Sequence, residues 1–266
     1  MAFNGLDNAP RGTRQNSGAL SGTGLLQSKE EWEARNRELA GSLNALIVRH
    51  LGLKTGKALD IGCMAGELTD RYGDGLPLRW WGIDPDISEE GTSAGGARLY
   101  TGFGHKLPFE ADSFDCVTFA NVYEHIPPNL RVATLAEIYR VLSPGGILVG
   151  QLPNPYSPIE SHSRLPLLGC LPRGLQRWYW RLTPTGWDFD KAHFFSVTVK
   201  NLRRIAQARG FDVVDIHNFN YSAAAIPSKL RWAVALHGRL GILPWAWQFV
   251  FRKPTPHEAS LGLQGE

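Results

Sequence analysis

The segment Ala58-Leu59-Asp60-Ile61-Gly62-Cys63-Met64-Ala65-Gly66-Glu67 joins an apolar run to an acid, two glycines and a helix-forming continuation. Such a run suits a buried strand that turns sharply into a helix beneath a nucleotide-like ligand. Gly62 and Gly66 permit φ > 0 and bring bare backbone close to that ligand. The helix opening near Glu67 offers unpaired N–H groups. A second acid, Asp84, ends the next apolar run, 22 positions after Gly62. At the carboxyl end of a neighbouring strand, it is positioned to accept both ribose hydroxyls of a nucleoside. Two histidines are candidate bases. His125 follows the apolar run 116–120, and His193 follows a proline-rich stretch. A positioned base that takes the proton of an acceptor hydroxyl adds roughly 10²–10⁴-fold in rate. For each histidine the alternative role is to order its loop by hydrogen bonding.

Alternating strands and helices must hold these residues. Strand-like runs fall at 57–61, 78–83, 97–100, 114–119 and 147–152, with a helix-compatible stretch at 130–142 between the last two. This alternation predicts βαβ units and a parallel sheet covered on both faces. Upstream, Ser28 and Glu31 form a capping-box pattern. Trp32, Leu39, Leu43, Leu46, Ile47 and Leu51 then repeat at helical spacing up to Gly52. Prolines 153, 155, 158, 166, 172 and 184 break the pattern over about 153–192, which reads as an insertion forming a lid or substrate wall. Regular structure returns as a helix at 196–209 and a strand at 211–219. A helix near 228–237 and a last strand near 245–252 complete the chain. The expected organisation is a flexible tail at 1–27, one domain at 28–254 carrying the insertion, and a C-terminal tail at 255–266.

A chain of 266 residues that is 43% hydrophobic supports one sizeable core. A net charge of +3, with basic residues scattered among acids, gives no reason to expect nucleic acid. Cys63, Cys116 and Cys170 are odd in number and lack metal spacing, which predicts a reduced, cytoplasmic protein. Residues 1–27 have no apolar segment of the secretory type. No stretch is long enough to span a membrane. The segment 226–251 mixes tryptophans with basic residues, so either packing on the core or peripheral membrane contact is open to it.

The ordered set Leu59-Asp60-Ile61-Gly62-Cys63-x-x-Gly66, Asp84, Leu107-Pro108-Phe109, Ser113-Phe114-Asp115-x-Val117, Tyr123-Glu124-His125-Ile126 and Leu142-x-Pro144-Gly145-Gly146 resembles the class I S-adenosylmethionine-dependent methyltransferases. His193-Phe194-Phe195-Ser196 and Ala208-x-Gly210-Phe211 extend the resemblance, which is nearest to small-molecule enzymes such as those of quinone biosynthesis. It implies a Rossmann-like α/β fold: a seven-stranded sheet of order 3-2-1-4-5-7-6, the last strand antiparallel, with helices on both faces. It also implies that Asp60, Gly62 and Cys63 hold the methionine part of S-adenosylmethionine, that Asp84 binds the ribose, and that Pro85 or Asp86 borders the adenine. Gly104 and His105 would line the adenine pocket, and Ala120 or Asn121 would meet the cofactor's amino group. Two positions depart from the pattern. Met64 replaces a frequent glycine, and Phe103 replaces an acid that often accepts from adenine.

The expected activity is methyl transfer by in-line displacement to a small organic or lipid-like acceptor, with oxygen favoured over nitrogen. The alternative is a methyltransferase-fold protein that binds or scaffolds without catalysing, a reading supported only by Met64, Phe103 and Asn121. A nicotinamide dehydrogenase would need glycine at position 64, and no Tyr-x-x-x-Lys occurs. Asn121-x-x-Glu124-His125 also resembles the Glu-x-x-Glu-His cluster of magnesium-using methyltransferases, which would add His193 as a ligand. Asn121 removes one anionic ligand, so Mg²⁺ is carried as an alternative and no residue is assigned to a metal. Trp178-Tyr179-Trp180 and Trp187 are candidates for an apolar acceptor wall, or for packing on the sheet. The oligomeric state has no sequence signal.

Overall fold

The computed structural model describes residues 29–73, 75–157, 160, 163, 165–182, 197–225, 231 and 244–258. The strands are β1 (Gly56–Ile61), β2 (Leu78–Asp84), β3 (Gly91–Thr92), β4 (Arg98–Thr101), β5 (Phe114–Ala120), β6 (Leu142–Pro153), β7 (Asp212–Phe219) and β8 (Ala246–Arg252). They form one sheet of order β3-β4-β2-β1-β5-β6-β8-β7. Pairing is parallel from β4 through β6, and β8 runs antiparallel to both β6 and β7.

The expected seven strands are present in the expected order, and the sheet has one more. The addition, β3, is a two-residue strand antiparallel to β4 at the outer edge. Asp70 creates this hairpin by accepting the N–H of Gly95 at 2.8 Å and the hydroxyl of Ser93. A strand this short carries no hydrophobic period, so sequence pattern passes over it.

Side chains alternate across the sheet. Ala58, Cys116, Ile147 and Val149 enter one core, whereas Leu59, Val117, Phe119 and Leu148 enter the other. Helix α1 (Lys29–Leu51) and α2 (Glu67–Gly73) cover the first face. Leu43 and Ile47 are fully buried there, each contributing about 1.5–3 kcal/mol. Helices α3 (Arg131–Val141) and α5 (Val199–Ala208) cover the second face through Leu135, Ile138, Leu202 and Ala206.

The insertion contains a helix that its prolines concealed, α4 (Arg173–Trp180). It starts directly after Pro172, where a missing N–H costs nothing. Strand β6 begins at Leu142, five residues before the apolar run. The Ser143–Gly146 stretch passes through a left-handed Gly145 and exchanges backbone bonds with Lys253. The capping Ser28, the tail at 1–27, Trp187 and the 228–237 helix lie outside the described residues, apart from Arg231.

Candidate functional site

Strand order reverses at β1. The chain proceeds through β2 and β4 on one side of it, then through β5 and β6 on the other. The carboxyl ends of β1, β2 and β5 therefore open the crevice where α/β folds take ligands. Four of the expected site segments meet at this edge: the 60–66 turn, Asp84–Asp86, 103–105 and 120–121.

The turn after β1 is held by β2 and by its own backbone. Gly62 N–H donates to Ile83 O at 2.8 Å, and Gly66 N–H donates to Cys63 O at 2.8 Å before α2 begins. Gly62 sits at φ +79°, and a Cβ there would collide with Val122 Cγ2, so the turn lies directly against the loop leaving β5. Met64 is also left-handed, at φ +51°, although it is not glycine. Such a backbone costs an L-residue about 1–2 kcal/mol. Its compensation is visible, since Met64 N–H donates to Asp84 Oδ2 at 2.9 Å.

Asp84 is 6% exposed, and its other oxygen accepts Asp86 N–H at 2.9 Å. Burial pushes this carboxyl above its ordinary value, while the two backbone N–H groups oppose the shift. Each oxygen retains a free lone pair, so the carboxylate can accept further donors. Pro85 and Asp86 are exposed just beyond it.

Asp60 has a different environment. Its carboxylate accepts Thr69 Oγ1 at 2.5 Å and Thr118 Oγ1 at 2.7 Å, tying β1 to α2 and β5. Burial pushes its pKa up to about 7, against the two threonine hydrogen bonds. Cys63 is buried against Gly82, and desolvation likewise pushes its thiol up. Both side chains face the interior.

Past β4, Lys106 N–H donates to Phe103 O at 3.0 Å and closes a turn. The turn carries Phe103, 48% exposed, with its ring 5.4 Å from that of His105. Gly104 lies between them, half-buried. The following Leu107-Pro108-Phe109 stretch is clamped to α3. Arg140 donates to Leu107 O and Phe109 O and pairs with Glu137 at 2.7 Å, and Glu137 accepts Leu107 N–H.

Ala120 ends β5, and Asn121 follows at φ +57°, a conformation asparagine tolerates. Asn121 N–H donates to Gln151 O at 2.8 Å, and its side-chain oxygen accepts Gln151 Nε2 at 3.0 Å. Gln151 Nε2 also reaches Tyr221 OH at 2.8 Å, and Gln248 Nε2 reaches Gln151 Oε1 at 3.3 Å and Ser42 Oγ at 2.6 Å. Sequence reasoning missed this buried polar chain. Its signal was two glutamines inside otherwise apolar strands, each needing a partner once buried.

Tyr123–His125 forms a single 3-10 turn at the same edge. Tyr123 OH meets Asn201 Oδ1 at 3.3 Å, and Arg131 lies over the Tyr123 ring while donating to Ile126 O at 3.0 Å. Glu124 is 1% exposed, and His125 Nε2 stands 3.9 Å from its Oε1, leaving the imidazole about one-third exposed. His193 lies outside the described residues, so its position relative to His125 is not described. Among the described residues, no group of three His, Cys, Asp or Glu side chains converges as a metal site. A groove of about 350 Å³ between α3 and α5 contains none of the expected site residues.

Known proteins share this chain's family and fold. The family described as "Methyltransferase domain" matches residues 32–216. The demethylmenaquinone methyltransferase of Staphylococcus saprophyticus is 27% identical over 198 residues, covering 68% of this chain and 81% of the relative. That of Lactococcus lactis is 27% identical over 213 residues, covering 73% and 77% respectively. In fold, the chain is similar to a solved Haloferax volcanii complex between the Trm112 methyltransferase activator and a putative methyltransferase. The TM-score is 0.57 at 18% identity, over 84% of this chain and 91% of that one. A family match over most of the chain, on a sheet whose switch point carries the turn and its acid, places this protein in the methyltransferase domain family, as an S-adenosylmethionine-dependent methyltransferase.

Proposed function

We propose that this enzyme methylates a small, quinone-like ring compound at the edge formed by the 60–66 turn, Asp84 and the 120–125 segment. The observation that carries this reading is the junction of Asp84 with the Met64 N–H, which fixes a glycine turn and an acid as one rigid cradle. The relatives named demethylmenaquinone methyltransferases support the acceptor class.

The chain's residues fit S-adenosylmethionine. Asp84 keeps acceptor capacity for ribose hydroxyls on a carboxylate already positioned by two backbone donors. Asp60 and Cys63 turn their side chains inward, so the turn would meet the methionine part through its backbone, which Gly62 and Gly66 hold at positive φ. Phe103, exposed beside His105, offers a stacking surface where an acid is missing. Asn121, oriented by Gln151, would meet the amino group. The cofactor, when bound, supplies an electrophilic methyl group on a sulfonium.

His125 would take the proton of an acceptor hydroxyl. Its ring is partly exposed at the carboxyl edge, with Nε2 3.9 Å from Oε1 of the buried Glu124. Removing a ring hydroxyl's proton raises nucleophilicity at oxygen and at the adjacent ring carbon. Oxygen is the expected site, and product analysis decides it. Holding both partners in attack geometry supplies roughly 7–11 kcal/mol of the barrier reduction.

Calorimetry with S-adenosylhomocysteine tests the cradle. Asp84→Asn keeps the shape but removes the anionic acceptor, and binding should weaken about 10- to 100-fold. Unchanged affinity in a folded variant refutes the ribose assignment. No binding by the wild type at millimolar cofactor would favour the silent-scaffold alternative.

A further inference from the structure

We infer that α4 is a membrane-surface helix that seats this enzyme on an anionic lipid bilayer. The inference goes beyond the methyl-transfer reading and rests on side chains outside the cofactor cradle.

Helix α4 has two apolar faces, and among the described residues only one packs against protein. Trp180 is 3% exposed and closes a small cluster with Leu165 and Leu168. On the opposite side, Leu175 and Trp178 are 54% and 62% exposed. Leu182, 62% exposed, continues their stripe by one more turn, its N–H donating to Tyr179 O at 3.0 Å. At 3.6 residues per turn, these three side chains fall within an arc of roughly 60° that points directly away from Trp180. Leu167, 56% exposed in a left-handed turn just before the helix, adds to the apolar surface.

Charge selects the occupant. Arg181 and Arg177 are exposed on the Trp178 side of the stripe, about 60° and 100° around the helix from Trp178, whereas Arg173 falls on the Trp180 side, and residues 165–182 contain no acid. A short helix with large apolar side chains on its outer face, arginines beside them and a tryptophan in the stripe matches an in-plane interfacial element. Arginine stems lie along such a surface while their guanidinium groups meet anionic headgroups. None of the described helices is long and apolar enough to cross the bilayer, so the contact would be peripheral.

The helix is also held near the catalytic edge. The chain leaves β6 at Pro153, and Gly169, four residues before α4 begins, touches the backbone of Pro155 so closely that a Cβ would collide with its carbonyl oxygen. A bilayer under α4 therefore lies on the side where a lipid-like acceptor would arrive.

The test is flotation of the whole protein with vesicles of phosphatidylcholine alone and of phosphatidylcholine mixed with phosphatidylglycerol. The wild type should float with the anionic vesicles and be released by high salt. The Leu175→Gln, Trp178→Gln pair changes only exposed positions and should weaken binding by about tenfold or more. Arg177→Gln and Arg181→Gln should each cost about fivefold on anionic vesicles and little on neutral ones. Failure of the wild type to float, or floating of the Leu175, Trp178 pair at wild-type level, overturns the proposal. Concentration-dependent self-association abolished by that pair, without vesicle binding, assigns the face to a second copy instead and equally overturns it. Binding of S-adenosylhomocysteine by the same variants, measured in parallel, shows whether the cofactor cradle is intact independently of the membrane result.

Discussion

Replacing Asp60 by asparagine should stabilise the protein, and increasingly so as pH rises. Asp60 sits at the centre of three elements, and burial pushes its pKa from 3.8 to about 7 in the folded state. An unfolded chain ionises the same carboxyl near 3.8. Below that value both states are protonated and Asp60 exerts no pH-dependent effect. Between 3.8 and about 7 the unfolded state releases a proton that the native state keeps, so stability falls as pH rises. At 1.36 kcal/mol per unit, the cost saturates above pH 7 at no more than about 4 kcal/mol. Asparagine matches the protonated side chain in shape and offers both a donor and an acceptor to Thr69 and Thr118. The difference between Asp60→Asn and the wild type should therefore grow from near zero at acidic pH to a few kcal/mol at mildly alkaline pH. Urea unfolding followed by circular dichroism across that range measures it, with equal m-values as the check on a common unfolded state. A difference that does not change with pH, or a wild type favoured at high pH, would refute the argument. Asp60 would then be a carboxylate stabilised by its threonines rather than a neutral acid.

Two other substitutions separate strain from catalysis. Met64→Gly relieves the left-handed backbone at the cost of unfolded-state entropy, for a net gain of about 1 kcal/mol in urea unfolding. A loss of stability would mean that the Met64 side chain packs against the protein despite being 58% exposed. His125→Ala should leave S-adenosylhomocysteine affinity unchanged and slow turnover by roughly 10²–10⁴-fold, with wild-type turnover indifferent to EDTA. An equal loss of binding refutes the base assignment, and sensitivity to EDTA returns a cation to Glu124 and His125.

The fold was legible where period and burial coincide. Strands buried on both faces, such as Cys116 to Phe119, announce themselves as unbroken apolar runs, and α1 repeats Leu39, Leu43, Leu46 and Ile47 at helical spacing. Two elements escaped the pattern for different physical reasons. Strand β3 exists because Asp70, far away in sequence, ties down the Ser93–Gly96 turn, and no local pattern encodes that bond. Helix α4 sits among prolines, and one of them, Pro172, caps the helix rather than breaking it.

The site was legible in its acids and glycines, but not in how they divide their work. Asp60 and Asp84 both end apolar runs, and by sequence both face a ligand. In the structure the threonines of α2 and β5 claim Asp60, whereas Asp84 receives only backbone donors and keeps acceptor capacity toward the crevice. The choice is made by Thr69 and Thr118, neither of which marks itself as a functional residue. Met64 illustrates the same point from the other side. In sequence it was a defect in a glycine turn. In the fold its N–H is one of the two donors that orient Asp84, so the strained residue and the acid belong to one device. The backbone bond can survive Met64→Gly while the strain is relieved, which is why that substitution should improve the turn without altering the acid it serves.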